Sequence, residues 1–324
     1  EVSASGVRLG VGDGAIRNVR ISNLDIRSSG TGILAQNCYG SAPQDGVDIS
    51  DIRFSDVRIR DTSTAISLTA NGLASKAKLS NVVFDRIDAE SFGQIEVAGG
   101  GETRPDDIVF RNVRFRLTAL PEGLSYPRPQ PTVVERAGKV SFVDCDFGGV
   151  EDADPAEAIA REMARRAASD GSNLISGFAP VTIVATEEQA RREQAQTRDF
   201  PVKLKAGGKY RVSYFVRGEN ICPLRLGSGA SSVAWIDEDS NKYAGQVGYR
   251  MSGTFGPYLQ AFEFQMPDIL PTGARPKITL RLVRSSGKAV FDGLWVEELA
   301  ERAVQYIAHQ GEEWLAPGHS AAAY

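Results

Sequence analysis

One segment shape recurs five times in the first 150 residues, and this repeat restricts the possible folds more than any other feature of the chain. Each copy alternates apolar and polar residues and breaks the alternation once. The copies are AIRNVRISNLDI (15–26), DISDIRFSDVRI (48–59), KLSNVVFDRIDA (78–89), PDDIVFRNVRF (105–115) and GKVSFVDCDF (138–147). Alternation with β-branched and aromatic residues indicates strands, and a repeat of this length indicates stacked units. The repeat therefore predicts a β-solenoid.

Alignment of the copies defines columns of apolar residues that we expect to stack in the interior. The columns of the repeated segment are Val19, Ile52, Val82, Ile108, Val140; then Ile21, Phe54, Phe84, Phe110, Phe142; then Leu24, Val57, Ile87, Val113, Cys145; then Ile26, Ile59, Ala89, Phe115, Phe147. A second strand adds the column Val7, Ile33, Ile66, Ile95. A leucine-rich repeat is the alternative solenoid, but its LxxLxL signature is missing.

Asparagine and aspartate recur at fixed positions of the repeat. One column holds Asn18, Asp51, Asn81 and Asp107, and a second holds Asn23, Asp56, Asn112 and Asp144. Because these side chains bond nearby backbone in turns, we expect turns or stacked polar positions here. The adjacent pair Asp106 and Asp107 is therefore predicted to be structural, and not an acid/base dyad.

The edge of the first coil is a further prediction. Residues 6–9 already have the pattern of a solenoid strand. An uncovered edge would leave unpaired backbone groups and apolar stacking surface. We expect an upstream β-helix segment or another chain to cover it.

The stretch GVRLGVGDGAIRNVRISNLDIRSSGTGILAQNCYG resembles the late coils of polygalacturonase-type, pectin-lyase-like glycoside hydrolases. In that family an Arg-Ile-Lys strand precedes a glycine-rich turn, a strand like VRNIxFxN and an apolar strand ending in tyrosine. The resemblance implies a right-handed parallel β-helix, with Arg8 as the substrate-binding arginine and Tyr39 lining the same groove. Gly10 stands where the family has lysine, which removes one cationic contact. The family's catalytic aspartates precede this motif, so the resemblance places them upstream of residue 1.

Structural alternatives exist for both transferred residues. Arg8 could serve as an outward-facing solenoid arginine that packs its stem and solvates its head. Tyr39 could serve as a packing tyrosine at the rim.

Composition argues against several other functions. The formal net charge is -4, and Lys and Arg are scattered, so the chain lacks the basic stripe that nucleic acid requires. No apolar run is long enough for a membrane span, and the three cysteines lack CxxC spacing. The only histidines are His309 and His319, so the body of the chain contains no histidine base or histidine metal cluster.

After the solenoid, residues 151–172 are predicted to form a connecting helix. Asp154 suits the N-cap and Pro155 the first helical position. Ile159, Met163 and Ala167 form an apolar stripe that we expect to lie on the end or side of the solenoid. A solvated linker helix is the alternative.

Residues 173–299 are predicted to form an antiparallel β-sandwich or jelly roll, since strand patterns alternate with hairpin turns throughout. AGGKYRVSYFVRG and SSGKAVFDGLWVEEL resemble the early and final strands of carbohydrate-binding jelly-roll modules. Residues 300–324 are predicted to be a helical tail. The predicted fold class is all-β, with a parallel β-helix, a connecting helix and a sandwich.

Aromatic side chains are the candidate sugar platforms of the sandwich, because pyranose faces are apolar. They are Trp235, Tyr243, Tyr249 and Tyr258, each with core packing as the alternative. Asp292 matches a position that contacts a structural calcium in many such modules, with an ordinary turn role as the alternative. Trp295 is expected in the core.

We interpret the chain as the C-terminal portion of a polysaccharide-degrading β-helix hydrolase whose catalytic carboxylates lie elsewhere. The expected partner is a polysaccharide, an acidic one if Arg8 contacts a uronate. The alternative is a trimeric virion or cell-surface spike that recognises polysaccharide. A pectate-lyase-like enzyme would need a calcium-binding carboxylate cluster, which the sequence does not offer. These interpretations place the protein outside the cell, in the periplasm or on a virion surface.

Overall fold

The computed structural model describes residues 2–10, 12–38, 45–71, 77–100, 103–121, 123–126, 128, 130–149, 154–169, 173–192, 195–223, 229–238, 242–248 and 253–299. The solenoid strands in these ranges are β1 (Val2–Leu9), β2 (Gly14–Arg27), β3 (Ser29–Gln36), β4 (Val47–Ala70), β5 (Leu79–Gly93), β6 (Ile95–Gly99), β7 (Pro105–Leu117), β8 (Thr132–Glu135), β9 (Val140–Val143) and β10 (Asp146–Gly149). The helices are α1 (Pro155–Ala168) and α2 (Glu187–Arg191). The later strands are β11 (Val181–Ala185), β12 (Gln196–Pro201), β13 (Lys209–Pro223), β14 (Gly229–Asp237), β15 (Lys242–Gly248), β16 (Gly253–Gln265), β17 (Lys277–Val283) and β18 (Ser285–Glu298). Neither helix is both long and apolar enough to cross a membrane.

The register between coils confirms the predicted parallel β-helix, which makes about 4 turns. The first column pairs from coil to coil in the order Val19, Ile52, Val82, Ile108, Val140. The last column pairs in the order Ile26, Ile59, Ala89, Phe115, Phe147. The second strand follows the prediction as well, with Val7 beside Ile33 and Ile33 beside Ile66.

Stacked phenylalanines run through the interior of the solenoid. The ring centroids of Phe54 and Phe84 lie 5.1 Å apart, those of Phe84 and Phe110 5.0 Å, and those of Phe110 and Phe142 5.2 Å. Phe54, Phe84 and Phe110 are fully buried, whereas Phe142 in the last coil is 41% exposed. The phenylalanine stack is therefore buried in the middle of the solenoid and partly exposed to solvent in the last coil.

Left-handed corner residues explain why the apolar alternation breaks in every copy of the repeat. In the first coil Asn18, Asn23 and Ser28 have φ of 58°, 57° and 51°, and Asp51 and Asp56 repeat this in the second. Each corner is followed by extended residues that alternate normally, so the apolar face stays inward. Asparagine and aspartate tolerate this backbone region better than most residues. The prediction that their columns mark turns is confirmed.

Two four-stranded antiparallel sheets form the sandwich, in the orders β11–β18–β13–β16 and β12–β17–β14–β15. Their inner faces enclose one apolar core. Large members of this core are Tyr210, Tyr214, Phe262, Phe264 and Phe291, all with no exposed surface.

The connecting helix begins as predicted. Asp154 is its N-cap and accepts a hydrogen bond from the backbone N–H of Ala156 at 2.8 Å. Pro155 occupies the start of the first turn.

The prediction that α1 lies on the solenoid through its apolar stripe is wrong. Met163 is 52% exposed, whereas Glu162 and Arg166 of the same helix are buried against the sandwich. The guanidinium carbon of Arg166 lies 4.9 Å from the ring centroid of Phe215 and 5.5 Å from that of Trp295. Trp295 thus lies on the outer face of its sheet beneath α1, and not in the core. Charge pairing with the sheet decides where this helix docks.

The described residues between β7 and β8 join the two folds. Ser125 and Ala261 exchange two backbone hydrogen bonds of 3.0 Å, which covers part of the edge strand β16. Leu124 and Tyr126 enter the sandwich core. Arg128 is buried and donates to two backbone carbonyls of the solenoid. The solenoid and the sandwich are therefore packed together.

Candidate functional site

The outer face of the sheet β12–β17–β14–β15 carries polar side chains around a tryptophan. In β14 the core residues Ala234 and Ile236 flank Trp235, and in β17 the core residue Ile278 follows Lys277. Since successive strand residues face opposite sides of a sheet, Trp235 and Lys277 both point outward. The two residues are direct cross-strand partners.

One row of residues crosses this whole sheet. Lys277 pairs with Pro201 on one side and with Trp235 on the other, and Trp235 pairs with Tyr243. The register between β14 and β15 shifts on both sides of the Trp235–Tyr243 pair. Such irregularities bend a strand locally and re-aim its side chains.

Lys277 is clamped between two carboxylates. Its ammonium group lies 2.7 Å from Asp199 Oδ2 and also contacts Glu238. Thr279 donates to the second oxygen of Asp199 at 2.7 Å. Burial alone would lower the pKa of Lys277, but hydrogen bonds to Asp199 and Glu238 outweigh it and raise that pKa above its usual range. The row is therefore charged and fixed in position.

A cleft of about 580 Å³ opens beside this clamp. Its charged lining consists of Asp199, Lys203, Asp237, Glu238, Arg275 and Lys277. These are three acidic and three basic side chains, so the lining has no net charge. The lining offers both donors and acceptors, and Lys277 connects it to Trp235, which is the cross-strand partner of Lys277 and does not itself line the cleft.

The sequence identified only part of this arrangement. Of the predicted platforms, Trp235 lies on this face and Tyr243 lies in the strand beside it. Tyr39 and Tyr249 lie outside the described residues. Tyr258 lies on β16 of the other sheet, where its ring stacks on Phe255 and packs against the core, so the structure does not bring it to Trp235.

Sequence reasoning missed Lys277, Asp199 and Glu238. The only local signal was the alternation KITLR in β17, which puts Lys277 and Arg281 on the polar side of a strand. Which strands pair in an antiparallel sandwich cannot be deduced from such local patterns.

Arg8 lies on the solenoid, far along the chain from this cleft. Its neighbours Val7 and Leu9 pack against the interior, so Arg8 points outward from β1. It pairs with Leu34, and the same outward column continues to Ser67. Ser67 donates to Glu96 at 3.2 Å. This outward position is the one that the structural alternative predicted, and substrate binding by Arg8 stays a prediction.

Asp292 lies within β18, where it pairs with Phe215 next to a shift in register between β18 and β13. Its Oδ1 accepts a hydrogen bond from the backbone N–H of Gly293 at 2.7 Å. Within the described ranges, no group of three or more His, Cys, Asp or Glu residues is arranged to hold a metal ion. Calcium binding by Asp292 therefore stays a prediction.

Hydrogen bonds lower the pKa values of several solenoid carboxyls. Hydrogen bonds from Arg111, Asn112 and Arg53 keep the pKa of Asp85 well below its usual range despite its burial. The backbone N–H groups of residues 139 and 107 likewise lower the pKa of Asp106. A general acid for glycoside hydrolysis needs a raised pKa, so these carboxyls suit a structural role.

Comparisons with known proteins give weak similarities. No protein-family model matches the chain, and no curated protein matches its sequence. Among solved structures, a family 16 carbohydrate-binding module is similar with a TM-score of 0.26 and 14% identity, covering 39% of this chain and 82% of the module. The enzymatically active domain of tailspike protein 4 of bacteriophage CBA120 is similar with a TM-score of 0.22 and 13% identity, covering 86% of this chain and 51% of that one.

Proposed function

We propose that this protein recognises polysaccharide through the cleft on the outer face of the sheet β12–β17–β14–β15. The observation that carries the proposal is the outward ring of Trp235 beside Lys277, whose ammonium group is fixed by Asp199 and Glu238. An aromatic ring can stack on the apolar face of a pyranose. Donors and acceptors that are already fixed around the tryptophan can form hydrogen bonds with the hydroxyl groups of the sugar, and they need not rearrange on binding.

The charge of the cleft favours a neutral polysaccharide over an acidic one. Each acidic side chain of the lining is balanced by a basic one. An acidic ligand would have to compete with Asp199 and Glu238 for Lys277. A neutral sugar can bond to both sides of these ion pairs, because each hydroxyl both donates and accepts.

Binding to a panel of neutral and acidic polysaccharides by affinity electrophoresis tests this proposal. We expect retardation by a neutral glycan. Trp235→Ala should weaken that affinity by at least about tenfold, the typical effect of removing a central aromatic anchor. Lys277→Met should weaken it too, because the hydroxyl-binding row loses its fixed donor.

Asp292→Ala is the matched control, since Asp292 is exposed on strand β18 of the other sheet. It should leave glycan affinity unchanged, and its response to added calcium tests the calcium prediction separately. Equal affinity of a folded Trp235→Ala variant and the parent chain would refute the site. No retardation by any glycan would refute the function.

Cleavage of a polysaccharide is the second candidate, and Arg8 is the observation that favours it. Arg8 is on the outward side of β1, in a column that also holds Ser67 and Glu96. We expect this chain to bind glycan without releasing reducing ends. Every solenoid carboxyl whose pKa is shifted has a lowered pKa, whereas a general acid needs a raised one. Release of reducing ends by this chain would contradict the interpretation that the catalytic carboxylates lie elsewhere. A trimer by light scattering would instead favour the spike.

A further inference from the structure

No strand in the described part of the chain stacks on the side of β2 that faces away from β4. Within the described residues, β1 bonds to β3 and β2 bonds to β4, so each of them has one neighbouring strand. Val19 and Ile21 of β2 are only partly buried, whereas their partners Ile52 and Phe54 in the next coil are 1% and 0% exposed. The side of β2 that faces away from β4, with Val19 and Ile21, is here called the first-coil edge. No strand of the described residues pairs with its backbone, and its apolar side chains are only partly buried.

A column of alternating charge runs along the outside of the solenoid. The register places Asp25, Arg58, Asp88, Arg114 and Asp146 next to one another in successive coils. Opposite charges that face each other across neighbouring strands stabilise the pairing, and like charges destabilise it. Because the column has an odd number of members, it is acidic at both ends.

Carboxylates in the middle of the solenoid are bonded from the coils on both sides. Asp88 accepts from Arg60 of the preceding coil at 2.6 Å and from Arg114 of the following coil at 2.9 Å. Asp85 is bonded in the same way by Arg53 at 2.7 Å and Arg111 at 2.9 Å. A basic side chain from each neighbouring coil is therefore the pattern that this solenoid repeats.

At the first-coil edge, the carboxylate of Asp25 has a basic neighbour in the following coil but none on its other side among the described residues. Asp25 is bonded by Arg27 of its own coil at 3.1 Å and lies next to Arg58 of the following coil. No described residue reaches it from the other side. Arg20 is exposed and makes no hydrogen bond or ion pair within the described part of the chain, and its neighbour Arg53 has the same charge.

We propose that the first-coil edge docks a β-solenoid coil of opposite charge order, with a basic side chain over Asp25 and a carboxylate over Arg20. The docked strand runs parallel to β2 and covers Val19 and Ile21 with its own apolar residues. The last coil of a second copy does not meet this requirement. It would bring Asp146 over Asp25 at the strand spacing of about 4.8 Å, which places like charges in contact.

A pair of labelled peptides tests the proposal against the intact chain. The first peptide has the sequence of residues 47–60 with Arg53→Glu, so that in parallel register it places a carboxylate over Arg20 and Arg58 over Asp25. The control peptide carries Arg58→Glu as well. We expect the first peptide to bind about fivefold tighter by fluorescence anisotropy at low salt, the size of one cross-strand charge pair. The difference should disappear in 1 M salt, where the Debye length is about 3 Å.

Protein variants locate the interaction. Asp25→Arg should reverse the preference between the two peptides, and Asp25→Asn should abolish it. Amide hydrogen exchange should slow in β2 when the first peptide is bound. The proposal is overturned if neither peptide binds, or if the Asp25 variants keep the original preference. It is also overturned if the parent chain alone forms open-ended assemblies that grow with concentration, because a second copy would then be the occupant.

Discussion

Two buried carboxylates tie the connecting helix to the sandwich: Glu297 of β18, which bonds Arg165 and Ser169, and Glu162 of the helix itself. Glu162 has the larger set of partners. It is 3% exposed and lies within 3.2 Å of donors from Arg165, Arg166, Arg211 and Ser213. Burial would raise the pKa of Glu162, but the hydrogen bond from Arg165 and the charge of Arg211 outweigh it and lower the pKa to about 2. The folded state therefore depends on the ionised form of this residue.

Replacing this carboxylate by an amide should destabilise the protein. Glu162→Gln leaves Arg166 buried without its counter-charge and leaves Arg211 with Glu263 as its remaining carboxylate partner. Breaking a buried pair in this way costs about 3–5 kcal/mol. Urea denaturation measures the change in the free energy of unfolding. Glu188→Gln on α2 is the matched control, because Glu188 also faces an arginine four residues on but is largely exposed. The control should cost less than about 0.5 kcal/mol, and an equal cost for both variants would contradict the role of the network.

The same residue gives a pH prediction. Because folding lowers the pKa of Glu162, its contribution to stability is complete above the ordinary pKa of 4.5 and is lost as the pH falls towards 2. The difference in unfolding free energy between the parent chain and Glu162→Gln should therefore shrink as the pH falls from 5 to 2. A difference that stays constant over this interval would show that folding does not shift the pKa of Glu162.

Contacts between individual side chains were the least predictable feature from the sequence. Glu162 and Arg166 are visible as a helical pair four residues apart, but Arg211, which completes the network, lies on a distant strand. The same holds for Trp235 and Lys277, which are more than 40 residues apart and meet only because β14 pairs with β17. Contacts that depend on the order of strands in a sandwich are not encoded in any local pattern.

Corner residues set the shape of the solenoid coils. Asp61 has a φ of 53° at the third corner of its coil, and its side chain is exposed. A side chain in this backbone region clashes with the following carbonyl, at a cost of about 1–2 kcal/mol. Asp61→Val should therefore destabilise the protein by about that amount in thermal denaturation, whereas Asp61→Gly should cost nothing or stabilise slightly. Equal effects of the two substitutions would show that backbone conformation does not decide this position.

Strand columns were predictable because each coil reuses one register. A correct alignment of two copies fixes every pair between them, so Val19, Ile52 and Val82 followed from the repeat alone. The docking of α1 was not predictable in this way. Its apolar stripe predicted that the face with Met163 would be buried. Met163 is exposed instead, because the helix docks through its charged face, whose side chains find buried partners on the sandwich. A pattern of hydrophobicity cannot anticipate that buried charges will be compensated by another element.

The solenoid and the sandwich share part of their structure, and this has a consequence for the whole molecule. Leu124 and Tyr126 belong to the chain between two solenoid strands, yet they are core residues of the sandwich. The hydrogen bonds between Ser125 and Ala261 extend the edge of one sandwich sheet with a solenoid segment. Unfolding of the sandwich would expose these side chains, and unfolding of the solenoid would remove them from the sandwich.

We therefore expect one cooperative transition for the described body of the protein in scanning calorimetry. The double variant Leu124→Ala, Tyr126→Ala should separate it into two transitions, with the sandwich unfolding first, since each truncation of a buried side chain costs about 2–5 kcal/mol. Val134→Ala is the control, because Val134 is 43% exposed in the last coil, and it should leave a single transition. Two transitions in the parent chain would mean that the shared residues do not couple the folds. A double variant that still melts as one unit would show that Leu124 and Tyr126 are not what couples the two folds.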